Sequence, residues 1–363
     1  MTTTRTFTIS PVQIPTSIES ADAADFIAAI EVRNLVEAHS YGTDELSYSP
    51  AEILPRWLDP HKKHWMFVAW LDGRIVGRGC IDALLDEPDT CWLDLRVLPE
   101  YRRLGIGTAL AQRVEDAARE DGRTKLIVYA VSAGSSGEKL PSPTGFGSVP
   151  RQNPEVRFLL GRGYSLEQVE RGSRLALPVD NVELAERLAA SAAAAGPDYR
   201  LHEWSGRVPA RWLADMAALY TAMSTEEPSA GLEEPESVWT PERITQTEEL
   251  QAGDGRISLF AVVEHLPTGR LCGLTVLSVP AESSRVVSQE DTLVMPAHRG
   301  HRLGTWMKIA NLRQLQRDHP GHSAITTFNA EENRPMLDVN EAVGFLPMGY
   351  EGAWKKLLGV PES

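Results

Sequence analysis

A fifteen-residue segment that occurs twice in this chain constrains its fold more than any other feature. Residues 94–108 and 291–305 are separated by a constant 197 positions and are identical at six of them: one Asp, Val, Pro, Arg, Gly and Thr. Ile106 is matched by the similar Leu303. Because unrelated segments rarely keep one register over six identities, the sequence predicts two copies of one domain.

The hydrophobic patterns around these segments repeat as well. Each copy has two helical segments, a strand hairpin, a third strand, a glycine turn, an amphipathic helix and a further strand. This order predicts an α/β fold, with an α+β mixed sheet, in each of two domains. The 363 residues suffice for two hydrophobic cores. We predict an N-terminal domain at 1–180, an alanine-rich connecting helix at 181–198 and a C-terminal domain at 199–363.

The first copy also has about 16 additional residues, which fall in the Gly-, Ser- and Pro-rich segment 132–153. This segment shows no periodicity and predicts a mobile loop.

Charge and cysteine content narrow the classes of function. The chain has 36 Lys and Arg against 50 Asp and Glu, a net charge of −14, which disfavours nucleic acid and anionic membrane surfaces as partners and favours a cationic one. Three cysteines without metal-ligand spacing predict no metal site and no disulfide framework. Residues 1–10 lack an apolar signal sequence, and no stretch is long enough to span a membrane, so a cytoplasmic location is expected.

The repeated segment itself predicts an anion site. A strand that runs into Arg-x-x-Gly-x-Gly and then a helix presents unpaired backbone N–H groups at the positive end of the helix dipole. Glycine at this place lets a phosphate group approach closely. The spacing does not match a dinucleotide-binding fingerprint or a phosphate loop for nucleoside triphosphates.

The pattern Val97-x-Pro99-x-x-Arg102-Arg103-x-Gly105-Ile106-Gly107-x-x-Leu110 resembles the acyl-CoA signature of the GNAT superfamily of N-acyltransferases. The second copy resembles it too, except that Arg302 replaces the first glycine of the Gly-x-Gly pair. The arrangement of two such domains is similar to that of mycothiol synthase and of tandem acetyltransferases. The resemblance implies an N-acetyltransferase that uses acetyl-CoA (coenzyme A) as acyl donor.

The resemblance also implies which residues bind this cofactor. The backbone at Val97 and Val294 would pair with the pantetheine arm, and the two glycine turns would hold the pyrophosphate. The implied cofactor-binding residues are Val97, Arg102, Arg103, Leu104, Gly105, Ile106, Gly107, Thr108, Val294, Arg299, Gly300, His301, Arg302, Leu303, Gly304, Thr305 and Asn333. Gln152 has the spacing of Asn333 in the first copy, with Asn153 next to it. Many members also carry a Tyr that protonates the leaving thiolate, but its two positions are occupied here by Leu159 and Asn340.

Attack on a thioester requires a neutral amine, and alkylamines near a pKa of about 10 are mostly charged at neutral pH, so a general base or a water chain must remove a proton. Asp94 and Asp291 occupy equivalent places on the strand before the turn, and Glu290 is adjacent. These three carboxylates are the candidate catalytic bases. In the second copy, the loop 225–236 holds five carboxylates and could attract a cationic small-molecule amine.

Two other functions stay open. The chain could be a non-catalytic acyl-CoA-binding regulatory protein, or it could be an enzyme similar to mycothiol synthase that acts on an amino-sugar or cysteinyl amine. The sequence does not specify the acceptor, the acyl chain length, the catalytic copy or the oligomeric state.

Overall fold

The computed structural model describes residues 6–359, which form two compact units. The first unit contains residues up to 170, residues 229–233 and residues from 349 onward; the second contains residues 171–228 and 234–348. The α/β class with mixed sheets is confirmed. The domain limits at 180 and 199 stay a prediction, and the two compact units divide the chain at other positions.

The first unit follows the predicted order of elements, with additional strands at its beginning and end. Its elements are β1 (Thr8–Pro11), α1 (Ala24–Tyr41), α2 (Pro50–Trp57), β2 (Lys62–Leu71), β3 (Arg74–Leu84), β4 (Thr90–Val97), α3 (Ile106–Glu120), β5 (Lys125–Val131), β6 (Lys139–Pro141), β7 (Ser148–Pro150), α4 (Pro154–Gly161) and β8 (Ser165–Ala176), of which residues 171–176 belong to the second unit.

The second unit repeats this order. Its elements are α5 (Asn181–Ala195), β9 (Tyr199–Ser205), α6 (Leu213–Glu226), α7 (Pro241–Gln251), β10 (Arg256–His265), β11 (Arg270–Pro280), β12 (Val287–Val294), α8 (Leu303–Asp318), β13 (Ala324–Ala330), α9 (Arg334–Val343) and β14 (Leu346–Leu357), which ends in the first unit. The predicted connecting helix is present as α5.

The two sheets have the same strand order. In the first unit β1, β2, β3, β4 and β5 are neighbours, and in the second unit β9, β10, β11, β12 and β13 are neighbours. The next strand of each sheet comes from a distant part of the chain. Residues 351–357 of β14 pair antiparallel with β5, and β8 lies beside β13. The last strand of the chain therefore completes the first unit, which the repeat alone did not predict.

The parallel pair before each glycine turn separates partway along its length. β4 pairs with β5 only from Thr90 to Leu93, and β12 pairs with β13 only at Val287 and Ser288. Among the described residues, no further backbone pairing is found between β4 and β5 or between β12 and β13. Each unit therefore has an opening in its sheet that leads toward the turn.

Glycines in the neighbouring strand bring the helix after each turn close to the sheet. A Cβ atom at Gly77 would lie 3.1 Å from Leu110 Cδ1, and one at Gly79 would lie 2.9 Å from Val114 Cγ1. In the second unit, a Cβ at Gly273 would lie 3.0 Å from Met307 Cε. Contacts this short would require the helix side chains to shift, so glycine favours the close approach of the helix in both units.

The segment 132–153 is not the structureless loop that its composition predicted. β6 and β7 form an antiparallel pair within it, with Leu140 opposite Val149. The pattern was missed because each strand has only three residues, too few for a periodicity to show.

Among residues 6–359, no helix combines the length and apolarity needed to cross a bilayer. Within the same range, no group of three or more His, Cys, Asp or Glu side chains could hold a metal ion.

Candidate active site

The glycine turn of the first unit has the geometry of an anion cradle. Arg103 and Gly105 both adopt left-handed backbone conformations, with φ angles of 67° and 86°. α3 then begins at Ile106, and no side chain caps its N-terminus. The N–H groups of the first helical turn have no intrahelical acceptors, so they are directed at whatever lies in front of the helix. A negatively charged phosphate is the ligand that this arrangement favours.

The second unit builds the same turn with glycine at the other position. Gly300 and Arg302, at the offset of 197 from Arg103 and Gly105, have φ angles of 88° and 55°. α8 begins at Leu303 and also lacks a side-chain cap. The replacement of glycine by Arg302 therefore preserves the backbone path, although a left-handed arginine carries some strain. It adds an exposed positive charge beside the cradle.

One arginine in each turn donates a hydrogen bond to the last residue of the preceding strand. Arg102 Nε donates to the Val97 carbonyl oxygen at 3.1 Å, and Arg299 Nε donates to the Val294 carbonyl oxygen at 3.1 Å. Arg299 also pairs with Glu226, at 2.6 Å from Nη2 to Oε2. These arginines hold the loop in shape, and a direct contact with a phosphate stays a prediction for both.

A cavity of about 600 Å³ extends from the first cradle into the opening between β4 and β5. This volume is typical of small-molecule sites. Its walls contain six residues of the predicted cofactor set: Val97, Arg102, Arg103, Gly105, Gly107 and Thr108. The other lining residues are Val36, Ser40, Leu95, Arg96, Leu110, Val128, Tyr129, Ala130, Val131, Gln152, Pro154, Glu155, Arg157, Phe158 and Leu159. An uncapped helix end joined to a partly apolar channel fits a phosphorylated carrier with a thin organic arm.

The first candidate base, Asp94, is held between two arginines. Its carboxylate pairs with Arg78 Nη2 and, at 2.9 Å, with Arg96 Nε. Arg96 also contacts Glu37 at 3.0 Å. Burial raises the pKa of Asp94, but the Arg96 and Arg78 charges outweigh it and hold the pKa well below its usual range. A carboxylate stabilised in this way is a weak proton acceptor, so the structure gives no support to Asp94 as a base.

The second candidate base, Asp291, lies at a β-bulge. β11 and β12 pair in register at Thr275 and Thr292 and again at Leu277 and Gln289, with one additional residue on β12 between these points. Glu290 and Asp291 occupy the bulge, whereas β3 and β4 pair without any shift in the first unit. Bulges of this kind redirect a side chain and are frequent beside active sites.

The surroundings of Asp291 contain carboxylates where those of Asp94 contain arginines. Burial and, to a smaller extent, the neighbouring Glu290 carboxylate together raise the pKa of Asp291 to about 7. Loss of hydration, Asp291 and Glu234 raise the pKa of Glu227 to about 7 as well, although Glu227 keeps contact with the surface. Burial and the Asp291 charge also raise the pKa of Tyr220 on α6. Asp291 therefore has the pKa that a general base needs near neutral pH.

The acidic loop 225–236 is shared between the two units. Leu232 is fully buried in the first unit, in a cluster with Ile127 and Ala353. Glu233 also belongs there and pairs with Lys355 at 3.7 Å. Only part of the five-carboxylate loop is therefore available to the second unit, and Glu227 is the member whose pKa Asp291 affects.

Three further candidate positions have defined surroundings. Asn333 precedes α9, and its side-chain oxygen accepts from the Met336 N–H at 3.4 Å, so it serves as a helix cap. A contact between Asn333 and the cofactor stays a prediction. Asn340, which replaces the expected tyrosine, is buried and donates to Asn329 Oδ1 at 2.7 Å. Leu159 lines the first cavity and supplies no proton.

Comparisons with known proteins agree with this geometry. Residues 29–135 match the acetyltransferase (GNAT) family. A tandem GNAT protein from the clavulanic acid biosynthesis pathway is 26% identical, with a TM-score of 0.72 over 99% of this chain and 100% of that one. A GCN5-related N-acetyltransferase from Sphaerobacter thermophilus is 12% identical, with a TM-score of 0.59 over 97% and 95%. No curated protein matches the chain.

The first unit therefore carries a domain of the acetyltransferase (GNAT) family, and the whole chain has the fold of a tandem GNAT protein. The chain is an acyltransferase by class, and the acyl donor of this class is acetyl-CoA. The two cradles and the first cavity fit a donor of that chemistry.

Proposed function

We propose that the chain is an N-acetyltransferase whose second unit transfers an acetyl group to the amine of a cationic small molecule. Asp291 carries this proposal, because it combines a place on the strand before the cradle, a bulge that redirects it and a pKa raised to about 7. The charge of a bound ammonium group would offset the repulsion among Asp291, Glu290 and Glu227. The same carboxylates would then position the amine beside the opening of the sheet.

The residues of the second unit have separate roles in this proposal. When bound, acetyl-CoA supplies the acetyl group as a thioester. The amides of 300–305 hold its diphosphate, and Arg302 adds a positive charge there. Asp291 accepts the proton that the ammonium group must lose before attack. Tyr220 lies on α6, close enough to Asp291 for that charge to affect its pKa. The Tyr220 ring forms an aromatic wall with Trp239, and the two ring centroids lie 5.1 Å apart. An aromatic wall next to carboxylates suits an organic cation.

A binding role without turnover is favoured for the first unit. Its cradle and cavity fit the donor, but Asp94 is engaged by Arg78 and Arg96, so an ammonium group next to Asp94 would meet two guanidinium charges. Like charges at an acceptor site oppose binding of an ammonium group. We therefore propose acyl-CoA binding without turnover for the first unit and assign catalysis to the second.

The test is turnover with acetyl-CoA and a panel of amines that includes a polyamine, an aminoglycoside, a neutral amine and a cysteinyl amino sugar, with acetylated product measured by mass spectrometry. Cationic acceptors should give the highest kcat/KM. Because Asp291 must be deprotonated to act, kcat/KM should fall about tenfold per pH unit below pH 7. Preference for the thiol-bearing sugar would favour the alternative similar to mycothiol synthase. No product from any amine would contradict the proposal.

A further inference from the structure

Three histidines and a tyrosine surround the entrance to the second cradle. Tyr199 Oη lies 3.1 Å from His298 Nδ1. The His265 and His298 rings are 4.6 Å apart between centroids, and the Tyr199 ring lies 5.4 Å from His265 and 5.1 Å from His301. We call Tyr199, His265, His298 and His301 the histidine cluster. It brings together the start of β9, the end of β10 and the turn before α8.

The histidine cluster is continuous with the cradle. His298 and His301 stand on either side of Arg299 and Gly300, within the turn that presents the amides. His301 is exposed, and the other three members are partly exposed, so a ligand held by the amides can reach the imidazoles. The proposed catalytic step uses none of these side chains.

The first unit lacks the cluster. At the offset of 197 residues, Tyr101 replaces His298 and Leu104 replaces His301. The two cradles therefore share a backbone but differ in titratable side chains. Any property that depends on imidazole should belong to the second cradle alone.

The charge around the cluster is mixed. Burial lowers the pKa of His298, and the neighbouring His265 and His301 lower it further. His265 Nδ1 lies 3.0 Å from Thr268 Oγ1. Glu264, next in the chain to His265, is engaged by His202 at 2.8 Å. Other charged or titratable groups on the elements that carry the cluster and next to them are Asp198, Arg200, Glu203, Arg256, Arg270 with its partner Asp215, Cys272, Arg299 with its partner Glu226, and Arg302.

We propose that the histidine cluster binds the 3′-phosphate monoester of coenzyme A in the second unit and takes up a proton when it does so. This inference rests on cofactor binding by the proposed catalytic unit. The imidazoles of the cluster, His298 above all, are stabilised as cations by a phosphate dianion, which is the prevailing form of a monoester above its second pKa of about 6. Imidazolium to phosphate hydrogen bonds are charge-assisted and stronger than neutral ones. The bound phosphate therefore raises the proton occupancy of the cluster.

The experiment is calorimetry at pH 7 with coenzyme A and with 3′-dephospho-coenzyme A, in two buffers that differ in ionisation enthalpy. The Gly107→Trp background closes the first cradle, so the heats report the second. Coenzyme A should bind about tenfold more tightly than the dephospho form and should take up a fraction of a proton that the dephospho form does not. His265→Gln with His298→Gln should remove both differences and leave binding of the dephospho form unchanged.

The matched control is the Gly304→Trp background, which leaves only the first cradle and should show no proton uptake with either ligand. Equal affinity and equal proton uptake for the two ligands in the Gly107→Trp protein would overturn the inference while leaving the proposed function standing. Failure of both ligands to bind that protein would overturn the proposed function itself, and the inference with it. Proton uptake that persists in the double histidine variant would also reject the cluster as its source.

Discussion

β4 and β12 each lead into a glycine turn, and the two turns have nearly the same backbone conformation. The two strands differ in the surroundings that they give to the equivalent aspartate. β4 is regular, and Asp94 lies between Arg78 and Arg96. β12 is bulged, and Asp291 faces Glu290 and Glu227 instead. The pKa values of the two aspartates are consequently shifted in opposite directions. A duplicated strand can therefore keep its sequence position and the backbone of its turn while the two copies place the aspartate in environments of opposite charge.

Blocking each cradle separately should have the largest effect and tests whether the two units differ in function. A tryptophan at position 107 or 304 should fill the space in front of the helix and reduce coenzyme A binding to that unit about 1,000-fold, since the phosphate contacts are lost. Gly304→Trp should abolish turnover, whereas Gly107→Trp should reduce the binding stoichiometry by one and leave most turnover intact. Calorimetry and product formation measure the two effects.

Gly107→Ala is the matched control, because a Cβ there would lie 3.8 Å from Phe158 and from Val97, at ordinary contact distance. It should bind coenzyme A normally. If both tryptophan variants together bind coenzyme A as well as the unmodified chain does, the cradle assignment is wrong.

The next largest effect concerns the two aspartates. Asp291→Asn should lower kcat by about 10²–10⁴-fold, because an amide cannot accept the proton, and it should remove the change of slope in kcat/KM near pH 7, because the remaining activity would follow the fraction of neutral amine at every pH. Asp94→Asn should leave kcat within a few-fold at a temperature where the variant is folded. Steady-state kinetics over pH 5.5–9 tests both, and a larger loss of kcat in the Asp94 variant would move the active site to the first unit.

The same pair of variants should change stability with opposite signs. The pKa of Asp291 is higher in the folded state than its ordinary value of about 4, so its charge destabilises the fold progressively as pH rises from about 4 to 7, and fully above 7. At pH 8, Asp291→Asn should raise the free energy of unfolding by about 1 kcal/mol after allowance for its partial exposure, with Tm higher by about 3 °C.

Asp94→Asn should lower the free energy of unfolding by about 2 kcal/mol, because Arg78 and Arg96 lose their common carboxylate. The pKa of Asp94 is lower in the folded state, so its contribution is present above the ordinary value and disappears at more acidic pH. Thermal unfolding at pH 8 and pH 4 measures both variants. Shifts of the same sign at pH 8 would show that the two environments do not differ as described.

The smallest expected effect concerns the position of the glycine in each turn, which is 105 in the first unit and 300 in the second. Arg302→Gly should weaken coenzyme A binding to the second unit by about three- to fivefold, the size expected for one exposed charge near a phosphate. It should also relieve the strain of the left-handed arginine, so Tm should not fall. Gly105→Arg is the reciprocal change. An unchanged affinity for Arg302→Gly would mean that the backbone alone holds the phosphate.

Local patterns were sufficient to predict the elements that the two copies share, but not the short pair β6 and β7 or the additional strands at the beginning and end of the first unit. The offset of 197 residues correctly aligned Arg103 and Gly105 with Gly300 and Arg302, which share their backbone conformations. The bulge at Asp291 could not be predicted, because it depends on the register between two strands and not on the composition of either. The pairing of Asp94 with Arg78 is similarly a contact across strands, and alternation along one strand does not show it.

The position of the last strand has a consequence for the synthesis of the chain. Residues 351–357 lie along β5, and Trp354 in their middle is completely buried. A ribosome releases the N-terminal part of a protein first, and N-terminal domains usually fold at that stage. Here the sheet of the first unit stays open at β5 until residue 357 has been translated, so the earlier-made half of the molecule is completed last.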